Sequence, residues 1–99
     1  MAAGTRYPPN LIQKVQEIPY DHPESCRFFT KPLVATPAAL ATFGAEAIFA
    51  CYLALREQAA RCNGIDYLQV FDDHANPGGP ALRFIEGGEA VTALLPSDC

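Results

Sequence analysis

The sequence lacks any apolar run long enough to cross a membrane. Its longest such run, Ala47 to Leu55, is about half of the ~20 residues that a spanning helix needs. The first ten residues contain one arginine, two prolines and no apolar segment, which is unlike a secretory signal peptide. We therefore expect a soluble, cytoplasmic protein that does not bind a membrane.

No Cys-x-x-Cys spacing occurs among the four cysteines, so neither a zinc knuckle nor a thioredoxin-type site is indicated. Cys51 and Cys62 fall in one helical pattern and lie about 16 Å apart along its axis. A disulfide needs Cα atoms within about 7 Å, so these two cannot pair. Reduced cysteines in a cytoplasm fit best, and both positions are apolar, where cysteine packs as a small hydrophobe.

Charged residues are few, at 18%, and 49% of the chain is hydrophobic, which is typical of a compact fold. The charges are unevenly distributed. Residues 66–99 carry six acids and one base, a balance of −5, and residues 1–65 carry five acids and six bases, a balance of +1, which together give the net −4. The acidic C-terminal third disfavours direct nucleic-acid binding and favours a basic protein partner.

The length of 99 residues predicts a single domain. Composition and hydrophobic pattern divide it into three segments. Residues 1–32 are rich in proline, residues 33–64 are helical, and residues 65–99 form a three-stranded meander. In the first segment, Leu11, Val15 and Ile18 have the spacing of a short helical face. The stretch from Arg27 to Ala35 is aromatic and β-branched enough for one or two extended pieces, interrupted at Pro32.

Two helices are predicted at about 37–43 and 45–62. Thr36 is a candidate N-cap before Pro37, Gly44 breaks the pattern, and Asn63 with Gly64 forms a C-terminal cap. The longer helix has a wide apolar face that should be buried in the core. Its members are Ile48, Phe49, Tyr52, Leu55, Ala59 and Cys62, widened by Cys51 and Leu53.

Three strands are predicted at 67–71, 81–85 and 90–95, joined by turns with paired glycines. Alternation places one set of side chains against the long helix: Leu68, Val70, Leu82, Phe84, Val91, Ala93 and Leu95. The opposite face mixes Tyr67, Gln69, Phe71, Arg83, Ile85, Thr92 and Leu94. This face is too apolar for ordinary surface, so either the N-terminal third or another protein should cover it. We predict an α+β fold, with a mainly antiparallel sheet of three to four strands on one long helix.

The triplet Asp72-Asp73-His74 resembles a metal or acid/base cluster. Consecutive residues of an extended chain point to opposite sides, so the three rarely converge on one ion. A hairpin tip with polar side chains is the better interpretation. The two Gly-Gly pairs match no phosphate-binding loop. We therefore predict no metal and no cofactor.

A thiol-dependent enzyme or redox protein is an alternative. Its nucleophile would be Cys26, assisted by His22 or His74, provided that a neighbouring cation or a helix N-terminus lowers the pKa of the thiol. A homodimeric structural protein, joined through the outer sheet face, is a further alternative.

Two segments carry a resemblance to known sequences. "LVATPAAL" (Leu33 to Leu40) and "EAVTALLPSD" (Glu89 to Asp98) resemble a family of small, uncharacterised plasmid- and phage-borne proteins, and "DYLQVF" (Asp66 to Phe71) is similar to the sheet-entry segment of another small family. The chain departs from the first family at Ala47 to Cys62 and at Cys99. The resemblance implies a mobile genetic element, where small acidic proteins often inhibit host defence, as anti-CRISPR proteins do. It carries over no catalytic residue.

These observations predict a non-enzymatic interaction protein, an inhibitor of a bacterial nucleic-acid-targeting defence protein. Its partner would be a basic, nucleic-acid-binding protein that it contacts through the acidic meander. The predicted contact residues are Gln69, Asp72, Asp73, Arg83, Glu86 and Glu89.

Overall fold

The computed structural model describes residues 11–14 and 26–98, with only the backbone at Cys26, and it has an α+β fold. The main sheet contains β1 (Leu11–Gln13), β3 (Leu33–Ala35), β5 (Leu68–Asp73), β6 (Leu82–Glu86) and β7 (Val91–Leu94). A two-stranded sheet pairs β2 (Cys26–Arg27) with β4 (Ile65–Asp66). The helices are α1 (Pro37–Phe43) and α2 (Ala45–Cys62), and a 3₁₀ turn (Pro96–Asp98) follows β7.

The main sheet is mixed, with the strand order β1-β5-β6-β7-β3. The antiparallel meander β5-β6-β7 has the predicted connectivity. Two short strands from the N-terminal third extend it at both edges: β1 lies antiparallel to β5, and β3 lies parallel to β7. The predicted sheet of three to four strands is therefore enlarged to five.

The short helix predicted from Leu11, Val15 and Ile18 is wrong at its start, because Leu11–Gln13 is a strand. Val15 and Ile18 lie outside the described residues. Leu11 is 3% exposed and pairs with Asp73 at the end of β5. Pairing with the sheet and burial of Leu11 therefore override a helical spacing that only three apolar residues supported.

Both helices have the predicted bounds, and their capping explains why. Thr36 has extended backbone angles, and its Oγ1 accepts a hydrogen bond from the Ala39 N–H at 3.1 Å. Gly44 ends α1 with a φ of +86°, a conformation that glycine adopts without strain. The left-handed Asn63 ends α2.

The buried face of α2 is narrower than the predicted one. Ile48, Cys51, Tyr52, Leu55 and Ala59 are buried, at the spacing of three and four residues that one helical face requires. Phe49 is 51% exposed, and Cys62, in the last turn, is exposed. The apolar pattern was wider than the face that the sheet covers.

The prediction of which side chains face the long helix is correct for β6 and β7 and wrong for β5. Leu82, Phe84, Val91 and Ala93 lie in the core, but Gln69 and Phe71 face the core from β5 in place of Leu68 and Val70. The sequence Leu-Gln-Val-Phe offers apolar side chains in both phases of a strand. The large Phe71 ring decides the phase, since it packs edge-on against Phe84 with ring centroids 5.7 Å apart.

Within the described residues, no single helix is long and apolar enough to cross a membrane. Helices α1 and α2 reach the required length and composition only as a pair, and that pair is bent by 100°.

The 3₁₀ turn after β7 is joined to the start of α1. Asp98 Oδ2 accepts hydrogen bonds from the Thr36 hydroxyl at 2.7 Å and from the Leu95 N–H at 2.9 Å. These two hydrogen bonds, the one from Leu95 above all, lower the pKa of the exposed Asp98 carboxyl. The ionised carboxylate therefore stabilises the folded chain.

We predict a pH-dependent loss of stability in the variant Asp98→Ala, which should melt at a lower temperature than the wild type at neutral pH. Because the folded-state pKa is depressed, the contribution of Asp98 is complete above its ordinary pKa of 3.8 and disappears as the pH falls through the lower folded-state pKa. The difference in Tm should therefore close at the acid end of a pH series followed by circular dichroism. A difference that stayed constant would contradict this assignment.

Candidate functional site

The six predicted contact residues fall into two groups. Gln69 and Glu86 are buried, with exposed fractions of 3% and 7%. Asp72 and Asp73 are half-buried at the end of β5, Arg83 is half-buried in β6, and Glu89 is exposed in the turn between β6 and β7. The structure therefore brings only the second group to the surface.

Gln69 belongs to an amide network inside the molecule. Gln13 Nε2 donates to Gln69 Oε1 at 2.7 Å and to Gln58 Oε1 at 2.8 Å, and Gln69 Nε2 donates to the Asp66 carbonyl at 3.0 Å. These contacts join β1, β5 and α2. Since a buried amide without partners would be costly, the network explains how Gln69 is accommodated in the core. Gln69 therefore has hydrogen-bond partners within the molecule.

Glu86 is a buried carboxylate with a structural role. One oxygen accepts the Phe29 N–H at 2.6 Å, and the other lies 3.4 Å from Lys31 Nζ. Phe29 is fully buried and has a φ of +56°, in the left-handed region. The Tyr52 hydroxyl donates to the Lys31 carbonyl at 2.6 Å. Glu86 therefore fixes the chain between β2 and β3 against the core.

The loop from β5 to β6 is a hydrogen-bonded turn, as predicted for a polar hairpin tip. Asp73 Oδ1 accepts the Ala75 N–H at 3.0 Å, its carbonyl accepts the Asn76 N–H, and the Asn76 carbonyl accepts the Gly79 N–H. Lys14 directly follows the neighbouring strand β1, and its Nζ lies 4.0 Å from Asp72 Oδ2. The two side chains are 57% and 42% exposed, so this ion pair contributes little to stability.

The same loop borders an open concavity of about 500 Å³, lined by residues 72–74 and 76–79. Over residues 11–14 and 26–98, no group of three or more His, Cys, Asp or Glu side chains is placed to hold a metal ion. The loop carries acids and backbone amides without an enclosed pocket.

The thiols of α2 differ in environment. Cys51 is completely buried, and burial raises the pKa of its thiol to about 12. Cys62 is exposed, contrary to its predicted burial, and both are free. His74 lies exposed in the β5–β6 loop. His22 and the side chain of Cys26, on which the thiol-dependent alternative depends, lie outside the described residues.

The sheet face opposite the helices, which we call the outer sheet face, is mainly apolar. The register places these residues on it: Ile12, Val34, Leu68, Val70, Asp72, Arg83, Ile85, Thr92 and Leu94. Ile12 and Val34, on the two edge strands, are 43% and 48% exposed. Sequence reasoning missed both, because β1 was assigned to a helix and β3 was not placed in the sheet.

The chain matches no family model, and neither curated proteins nor solved structures give a match.

The contacts of Glu86 predict that its substitution destabilises the protein more than substitution of an exposed glutamate. Glu86→Ala should lower the free energy of unfolding by about 2–4 kcal/mol, since it leaves the buried Phe29 N–H without an acceptor and Lys31 without its carboxylate. Glu86→Gln retains an acceptor and should lose less. The exposed control Glu89→Gln should stay within about 0.5 kcal/mol of the wild type in urea denaturation. Equal stability of Glu86→Ala and Glu89→Gln would refute the role.

The two thiols should differ in reactivity. Iodoacetamide at about pH 8 should alkylate Cys62 and leave Cys51 unmodified in the folded protein, because the buried thiol stays protonated. Peptide mass spectrometry measures both sites, and urea provides the positive control by exposing Cys51. Equal labelling of both in native buffer would argue against the packing of α2 described above.

Proposed function

We propose that the chain is a non-enzymatic protein-interaction module that binds a protein partner through the outer sheet face and the acidic groups at its ends. The observation that carries this proposal is the apolar character of that face, where Ile12 and Val34 are exposed. The buried residues of both helices lie on the opposite face, in the core cluster. Exposed apolar groups on a sheet face are typical of interaction surfaces.

The charges at the ends of the outer sheet face define the kind of partner. Asp72 and Asp73 lie at one end of the meander, and Glu89 lies in the turn at the other. Glu86 is buried with its carboxylate 3.4 Å from Lys31 Nζ, so we assign the charge of this surface to the exposed acids. The complementary partner surface has an apolar centre with lysine or arginine side chains on both sides.

The finer proposal is that this partner is a bacterial nucleic-acid-targeting defence protein, inhibited in the cytoplasm by a protein from a mobile genetic element. Its support is the resemblance of Leu33 to Leu40 and Glu89 to Asp98 to plasmid- and phage-borne proteins. The two segments are neighbours in the fold. β3 pairs with β7, and the Thr36 hydroxyl donates to Asp98, so the residues that carry the resemblance form one structural unit.

The test is plasmid transformation into bacteria that carry a defined restriction or CRISPR system. Wild-type protein should raise the transformation efficiency, because an inhibited defence protein no longer destroys the incoming plasmid. The double variant Asp73→Asn and Glu89→Lys should lose this effect, because both changes remove a negative charge and Asp73→Asn keeps the side-chain acceptor of the turn. Glu57→Lys, exposed on α2, is the control for a charge reversal away from the proposed surface.

Absence of any effect from well-expressed wild-type protein against several such systems would contradict the inhibitor proposal. The interaction surface is tested separately by affinity capture from a bacterial lysate with quantitative mass spectrometry. A protein bound equally by the wild type and the double variant would contradict the proposed surface.

A further inference from the structure

We propose that β3 is the contact edge of a homodimer, in which β3 of a second copy pairs with it antiparallel across a two-fold axis at Val34. This inference concerns a sheet edge and does not rest on the proposed function. It also differs from a dimer joined face to face through the outer sheet face, because the contact is the edge strand β3.

Among the residues that the structure describes, no strand lies beside the outer side of β3. On the inner side, the Pro32 carbonyl accepts the Val91 N–H at 2.8 Å, and the Thr36 N–H donates to the Ala93 carbonyl at 3.0 Å. Backbone groups alternate in direction along a strand, so those of Val34 also face β7. The N–H and C=O groups of Leu33 and Ala35 therefore point away from the sheet, at its edge.

This pattern is complementary to itself. In an antiparallel pair centred on Val34, Leu33 faces Ala35 of the second copy and Ala35 faces Leu33. Both are pairs that exchange N–H···O=C hydrogen bonds, whereas the two Val34 residues form the closer, non-hydrogen-bonded pair between them. The Val34 side chains, 48% exposed on the outer sheet face, then contact each other across the axis.

The charge distribution favours a second copy as the occupant. Residues 32–45, which contain β3 and α1, have no charged side chain, so two copies of this edge meet without like-charge repulsion. The flanking charges are already bound within one protomer: Lys31 contacts Glu86 and the Gly87 carbonyl, and Asp98 accepts from Thr36. Native edges are commonly protected from such pairing by charged residues, and this one has none.

Helix α1 follows β3 in the chain and carries further exposed apolar surface. It begins at Pro37, directly after Thr36, and Leu40 is 43% exposed. A three-residue strand alone is small compared with the roughly 800 Å² per partner of a standard interface. We therefore expect a dimer that depends on α1 as well as β3 and that dissociates on dilution.

The first experiment measures molar mass by light scattering over about a hundredfold range of protein concentration. The wild type should change from monomer to dimer. Val34→Lys should remain monomeric with an unchanged circular dichroism spectrum, because it places two ammonium groups at the axis. Ile12→Lys, on the opposite edge strand β1 and similarly exposed at 43%, is the matched control and should still dimerise.

The second experiment is independent of the stability of Val34→Lys. Val34→Cys, in a chain with serine at Cys26, Cys62 and Cys99, should form an intermolecular disulfide on mild oxidation. The Cα atoms of a non-hydrogen-bonded pair lie about 4.5 Å apart, within the range for this bond. Ile12→Cys in the same background should not cross-link above a random level.

A monomeric wild type throughout, with equal cross-linking of the two cysteine variants, would overturn the proposal. The proposal would also be overturned if Val34→Lys left the dimer intact. Dissociation of the dimer by Ile12→Lys or by Arg83→Glu would overturn it as well, because the contact would then lie on another surface.

Discussion

The rest of the fold depends on the hydrogen bond between the Glu86 carboxylate and the Phe29 N–H, which joins the end of β6 to the segment between β2 and β3. It fixes Phe29 in a left-handed conformation with its ring fully buried. From there the chain passes Lys31, which is bound through its ammonium and its carbonyl, and enters β3 beside β7. A residue near the start of the described chain is thus positioned by one 57 positions later. The parallel pairing of β3, and with it the start of α1, depends on this contact.

A second polar network has the same function at the other edge. Gln13 joins β1 to Gln69 of β5 and Gln58 of α2. Both networks are buried or half-buried, so each polar atom that lacked its partner would destabilise the fold. Edge strands of three residues have few ladder hydrogen bonds of their own. The side-chain networks therefore specify where these strands attach, and the apolar core alone would not.

Local signals predicted most of the architecture. The N-cap at Thr36, the break at Gly44 and the cap at Asn63 defined both helices, and alternation with glycine turns defined the meander. The facing of β5 was missed because Leu-Gln-Val-Phe is apolar in both phases, and the phase that buries Phe71 also buries Gln69, whose oxygen Gln13 satisfies only once β1 has docked. The burial of Gln69 and Glu86 was missed because their partners lie 56 and 57 residues away. The position of Glu89 in the exposed turn between β6 and β7 follows from local sequence signals alone.

The positions of β1 and β3 at the edges have a consequence for biosynthesis. Leu11 pairs with Asp73 and Leu33 with Val91. Both early strands can therefore enter the sheet only after the strands of the last third of the chain have been synthesised. A nascent chain leaves the ribosome from its N-terminus. Helices α1 and α2 can form early from local contacts. The sheet is completed only when β7 has emerged, and until then the apolar face of α2 is covered at most in part.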